Sequence, residues 1–190
     1  MKGDVDMVIK ELKEGLDLGK KFYDEFPKVF SDSGVNLNLA AEALGSHFNK
    51  PIFIKNANFS KIGKGISGFT KVEEDGAYIF VNSAEPPARQ RFTVAHELGH
   101  IYGEDIKLDE IGELNIVYRS DLESFYDDPI KVKNEQRANA FASEILMPEH
   151  QVLKYLQAGM NVEEMAVIFG VSPQAMKIRI ASVIHAQYQN

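Results

Sequence analysis

The sequence predicts an α+β fold: a small antiparallel or mixed sheet packed on two functional helices, followed by a helix-turn-helix-like pair. Three observations lead there. Residues 89–103, RQRFTVAHELGHIYG, and residues 134–148, NEQRANAFASEILMP, both carry apolar stripes at helical spacing. Between Pro51 and Asn82 the texture changes to short β-rich runs broken by glycines. From Val162 to Ile184 two short helical patterns meet at Gly170.

Composition narrows the classes before any motif is read. A chain of 190 residues can bury one core and carry a small appended helical module. Hydrophobic residues at 44% and charged residues at 26% match ordinary globular usage. There is no cysteine, which excludes disulfides, Cys-ligated zinc, iron–sulfur clusters and thiol catalysis, so any metal must be held by His and carboxylates. A net charge of −7 opposes broad binding to phosphate backbones and favours a protein or peptide partner. The N-terminus, MKGDVDMVIKELKEG, lacks the apolar stretch of a signal peptide, and no run approaches the roughly 20 apolar residues of a membrane span. A cytoplasmic protein without membrane association is the expectation.

Taken in order, Val5, Val8, Ile9, Leu12, Leu16, Phe22, Tyr23 and Phe26 predict one or two amphipathic helices, weakened in the middle by Gly15 and Gly19. After the break at Ser31–Gly34, Asn38 is placed to cap a helix running to Phe48; its His47 reads as a packing or surface residue. Ile52–Ile54, Gly68–Val72 and Ala77–Val81 read as strands. Gly63, Gly65 and Gly68 spell no phosphate-binding loop. Val81 and Asn82 close a strand just before the motif helix; if that strand is an edge, its free backbone groups would hold an extended peptide by strand addition.

The motif helix supplies the chemistry. Pro86 and Pro87 suit its start and Gly103 its end. His96 and His100, four apart, project from one face about a turn apart and suit a single Zn²⁺. Glu97 borders the open position without ligating, placed to take a proton from a bound water. A shuffled chain of this composition would contain His-Glu-x-x-His with odds of roughly one in a hundred, so the motif alone does not decide. Gly99 costs about 1 kcal/mol in mid-helix and signals a close approach of another segment to its backbone. A catalytic zinc usually has three protein ligands, so a further donor is needed.

Residues 104–130 are acidic and aperiodic, and read as a loop-rich excursion with short helical turns. A helix then starts at Asn134, with Ala138, Phe141, Ala142, Ile145 and Leu146 as its buried stripe and Glu135 in its first turn. In the tail, Val162–Phe169 is helical, Gly170 turns, Ser172 caps and Pro173 opens a second helix. Its cationic residues Lys177 and Arg179 are offset by Glu163 and Glu164, which argues for packing or protein contact over DNA reading.

The segments RFTVAHELGH (91–100) and EQRANAFASEILMP (135–148) together resemble the ImmA/IrrE family of zinc-dependent metallopeptidases. The resemblance spans about residues 38–183 and is strongest from Asn82 to Pro148. It implies a zincin-like minimal metallopeptidase with Zn²⁺ on His96, His100 and Glu135 and with Glu97 as general base. Asn139, one turn beyond Glu135, is a candidate to orient a ligand histidine from behind. Tyr102, Tyr118, Tyr126 and His150 are candidates for stabilising the oxyanion.

The implied organisation is an N-terminal helical extension (1–34), a metallopeptidase domain (35–150) and a C-terminal helical segment (151–190) packed on it. The implied function is site-specific cleavage of a regulatory protein, a DNA-binding repressor of a mobile element or stress response. The alternative is a non-catalytic regulator that binds a repressor or toxin on the same scaffold.

Overall fold

Two helices pressed backbone to backbone frame the molecule. In this computed structural model, which describes residues 2–59, 65–112, 114–118 and 129–188, α1 (Lys2–Glu25) is one continuous helix lying along α4 (Pro129–Leu146). Gly15 and Gly19 are the reason it can. A Cβ at Gly15 would strike the Arg137 carbonyl and come within 2.6 Å of the Ala140 Cβ, and one at Gly19 would lie 2.5 Å from the Glu144 Cβ. The two glycines give up about 1 kcal/mol each of helix propensity and gain a close helix–helix approach. Further along, Phe22 is fully buried and meets Tyr102 and Phe141 edge-on.

A 3₁₀ turn (Pro27–Val29) and a tight hairpin of β1 (Phe30–Ser31) and β2 (Gly34–Val35) lead to α2 (Leu37–His47). The cap of α2 is Asn36, whose side chain accepts from the Asn38 and Leu39 amides, not the expected Asn38. Both asparagines can cap. Burial of Leu37 and Ala40 draws the helix start back to the earlier one.

The sheet is mixed, in the order β3-β5-β4-β6. β3 (Ile52–Ala57) runs parallel to β5 (Ala77–Asn82), and β4 (Ile66–Val72) is antiparallel to both β5 and β6 (Leu114–Tyr118). β6 lies within the stretch expected to be loop and short helical turns; its backbone pairing overrides a weak local pattern. β5 lies between β3 and β4, so Val81 and Asn82 stand on no free edge and the condition for strand addition there is not met. Val81 is buried, and the Asn82 amide donates to the Ile66 carbonyl. In β5 Ala77, Ile79 and Val81 face the helices, while Tyr78 and Phe80 stack with Phe53 and Phe69 on the other side.

α3 (Pro87–Tyr102) crosses the inner face of the sheet, with Pro86 before it and Gly103 closing it. A side chain at Gly68 of β4 would collide with Thr93 of α3, and one at Gly99 of α3 would lie 2.8 Å from the Phe141 ring and 3.3 Å from the Ala138 Cα. The segment approaching Gly99 is therefore α4. That helix starts at Pro129 rather than Asn134, which puts Glu135 in its second turn.

A short α5 (Glu149–Gln157), not anticipated, leads to α6 (Val162–Phe169) and α7 (Pro173–Gln187), which meet at 105°. Asn161 and Glu164 form a capping box, Gly170 adopts φ 64°, and Ser172 caps α7. Arg179, 3% exposed, donates to the Met147 carbonyl at 2.9 Å and pairs with Glu144 of α4. One hydrophobic cluster runs from Phe22 to Val183. Among the described residues no single helix is long and apolar enough to cross a membrane.

Candidate metal centre

α3 and α4 meet at Gly99, and this close packing brings their polar groups together. His96 and His100 are 2% and 1% exposed, with their Nε2 atoms 3.0 Å apart. Glu135 reaches across from α4, its two oxygens 3.1 Å from His96 Nε2 and 3.2 Å from His100 Nε2. A tetrahedral metal with arms of about 2.0–2.2 Å holds its ligand atoms about 3.3 Å apart, close to this triangle.

The far side of each ring fixes its tautomer. His96 Nδ1 lies 2.9 Å from Asn139 Oδ1, and His100 Nδ1 lies 3.0 Å from Asp105 Oδ2. Both partners are acceptors, because Asn139 Oδ1 is an amide oxygen and Asp105 is a carboxylate, so each Nδ1 carries the proton. Each Nε2 then presents a lone pair, and with the Glu135 carboxylate three electron-pair donors converge on one point. Such a point calls for a cation. His96, His100 and Glu135 form the one three-residue group of metal-binding type among the described residues.

A bare proton is the other cation that fits, and the electrostatics show the demand for one. Burial works against a charged His100, yet the Asp105 and Glu135 hydrogen bonds raise it to about 9. Burial likewise resists ionisation of Glu135, but the hydrogen bonds with His100 and His96 hold it well below the usual carboxylate range. A divalent metal satisfies the same donors with more charge.

Glu97 is fully buried beside this group. Its Oε2 accepts a hydrogen bond from the Thr70 hydroxyl of β4, and its Oε1 has no hydrogen-bond partner among the described residues. Burial pushes its carboxyl up, against the pull of His100, His96 and Thr70. A carboxylate with one oxygen tied and the other open, raised toward neutrality, suits proton transfer.

A family model described as the IrrE N-terminal-like domain, a peptidase family, matches residues 52–181. The chain belongs to this family. The match covers the sheet, both site helices, α6 and the first part of α7. It supports the α+β, zincin-like class. Immunity region protein 2 of Bacillus phage phi105 is 29% identical over 114 residues, covering 60% of this chain and 65% of the phage protein. The radiation response metalloprotease IrrE of Deinococcus radiodurans is 34% identical over 91 residues, 44% of this chain and 25% of that protein. The chain thus spans less than two thirds of each of these relatives. A solved Mycobacterium tuberculosis transcriptional regulator shares the fold at TM-score 0.53 and 17% identity, over 84% of this chain and 45% of that one.

Of the residues singled out by sequence, the structure gathers His96, Glu97, His100, Glu135 and Asn139. Tyr102 and His150 are engaged elsewhere: the Tyr102 hydroxyl donates to Glu25 at 2.6 Å, and the His150 ring packs on Tyr23. Tyr126 and the Tyr118 side chain lie outside the described residues. Sequence reasoning missed Asp105, Arg137 and Thr70. Thr70 had a signal, a hydroxyl at an inward strand position between Gly68 and Val72. Asp105 was lost among the acidic residues of its stretch.

Proposed function

We propose that this protein is a zinc-dependent endopeptidase that cleaves a regulatory protein, a DNA-binding repressor of a mobile element or stress response. The observation that carries the reading is the convergence of His96 Nε2, His100 Nε2 and Glu135 beside the open oxygen of Glu97. Zinc is the metal of this reading because two neutral imidazoles and a carboxylate are a common catalytic donor set for it.

Zinc bound there would polarise the scissile carbonyl and lower the pKa of a water. The rest falls to the chain. Glu97 accepts the water proton at Oε1, with Oε2 fixed by Thr70, and passes it to the departing amine. Asn139 holds His96 in the tautomer that leaves Nε2 free. The burial of His96, Glu97 and His100 lowers the local dielectric and strengthens each of these interactions.

Substrate class is supported by kinship and charge. One relative is named for a phage immunity region and another for a radiation response, and a net charge of −7 suits a basic DNA-binding substrate. A direct DNA role for α7 finds little support, because Arg179 is buried in its pair with Glu144.

The test is Glu97→Gln, assayed on the repressor encoded nearest the gene. Removal of a general base costs about 10²–10⁴-fold in rate. Cleavage should fall to background while zinc content stays at wild-type level. An undiminished biological response in this variant would overturn the peptidase reading in favour of a binding-only regulator, and undiminished cleavage would remove Glu97 as the general base.

A further inference from the structure

The two imidazoles are not supported alike. His96 rests on the neutral amide of Asn139, whereas His100 rests on a carboxylate, Asp105, 9% exposed in its side chain. The other oxygen of Asp105 is held by the guanidinium of Arg137. Asp105 reaches His100 because the chain doubles back where α3 ends: Glu104 adopts φ 60°, and the amides of Asp105 and Ile106 both donate to the His100 carbonyl, at 2.8 and 3.2 Å. Arg137 sits on α4 between Glu135 and Asn139, and α1 packs onto its backbone at Gly15.

We propose that Asp105 and Arg137 form a positioning pair that locks His100 in its metal-binding tautomer and sets the affinity of the centre. The pair rests on the reading that His96, His100 and Glu135 hold zinc. Asp105 accepts the Nδ1 proton, which keeps the Nε2 lone pair aimed at the metal, and its charge makes the imidazole a stronger donor. Arg137 fixes the second carboxylate oxygen, so that Asp105 does not rotate away from His100. The five residues 135–139 thereby supply a ligand, the anchor for one imidazole's partner and the partner of the other.

Zinc affinity, read by competition with a chelator, tests the pair without need of a substrate. Asp105→Ala should bind zinc about tenfold to a hundredfold more weakly. Asp105→Asn, whose amide oxygen accepts the same proton without the charge, should recover part of that loss, and Arg137→Met should lose less than Asp105→Ala. Melting of the metal-free variants separates this from a plain tie between α3 and α4, which would lower the melting temperature and leave affinity unchanged. Wild-type affinity in folded Asp105→Ala overturns the proposal; should that variant not fold, wild-type affinity in Asp105→Asn does so. Cleavage by Glu97→Gln bears on the peptidase reading alone, so the two ideas fail separately.

Discussion

α4 carries two buried ionic clusters, and they differ in how they are closed. At its C-terminal end Glu144 gives one oxygen to Arg179 and the other to the Glu149 amide, at 3.1 Å, while Arg179 spends a further donor on the Met147 carbonyl. Charge and hydrogen bonds there balance within the chain. Earlier on the same helix, Glu135 faces two lone pairs, and nearby Glu97 Oε1 has no hydrogen-bond partner among the described residues. His96 and His100 are buried as deeply as Glu144 and Arg179, while Glu135 is partly open, with 21% of its side chain exposed. The self-satisfied one docks α7 onto α4, and the incomplete one is arranged to receive something from outside.

The difference can be broken most sharply at Glu135. Glu135→Ala removes a ligand outright, so zinc affinity should fall by more than the roughly hundredfold upper range for losing an outer partner. Binding to the wild type should also weaken as pH falls below about 9, the value to which His100 is raised, because the ligands must be unprotonated. Metal analysis after gel filtration checks both, and stoichiometric zinc in Glu135→Ala would take Glu135 out of the site. In the closed cluster, Arg179→Met leaves the Glu144 charge unpaired and should cost about 3–5 kcal/mol of folding stability. Urea unfolding of the zinc-loaded chain measures it, with zinc affinity of the folded fraction unchanged. Smaller still is Thr70→Val. Loss of a hydrogen bond to a charged group is worth about 1.5–3 kcal/mol, so cleavage should slow by roughly tenfold to a hundredfold, with zinc affinity intact and activity regained in Thr70→Ser. Equal activity in Thr70→Val would show that Glu97 needs no tether.

The sequence reveals the incomplete cluster better than the closed one, and the reason is periodicity. His96, Glu97 and His100 sit on one helix at a spacing that metal chemistry requires, and Glu135 and Asn139 sit a turn apart on the next. The local spacing within each helix could be read directly; which residues of the two helices meet could not be read without the family resemblance. Asp105 and Thr70 belong to a turn and a strand whose approach to α3 depends on the whole sheet, so no local pattern names them. The same limit explains the edge: β5 reads as a last strand because its pairing with β3 joins residues 25 apart, which no local pattern shows. In sequence Arg179 is only one of two cations offset by Glu163 and Glu164, and its pairing with Glu144 shows in the structure alone.

The family match begins at residue 52, yet Phe22 and the glycine notch of α1 belong to the same core. Domain trimming and domain swapping therefore meet different obstacles here. A fragment cut at the family boundary would leave a bare furrow along α4, behind the residues of the candidate metal site. The furrow is shaped for a helix with no side chain at two positions one turn apart, and an ordinary amphipathic helix in place of α1 would ride too high to seat. In that sense the N-terminal segment is a key cut for one lock.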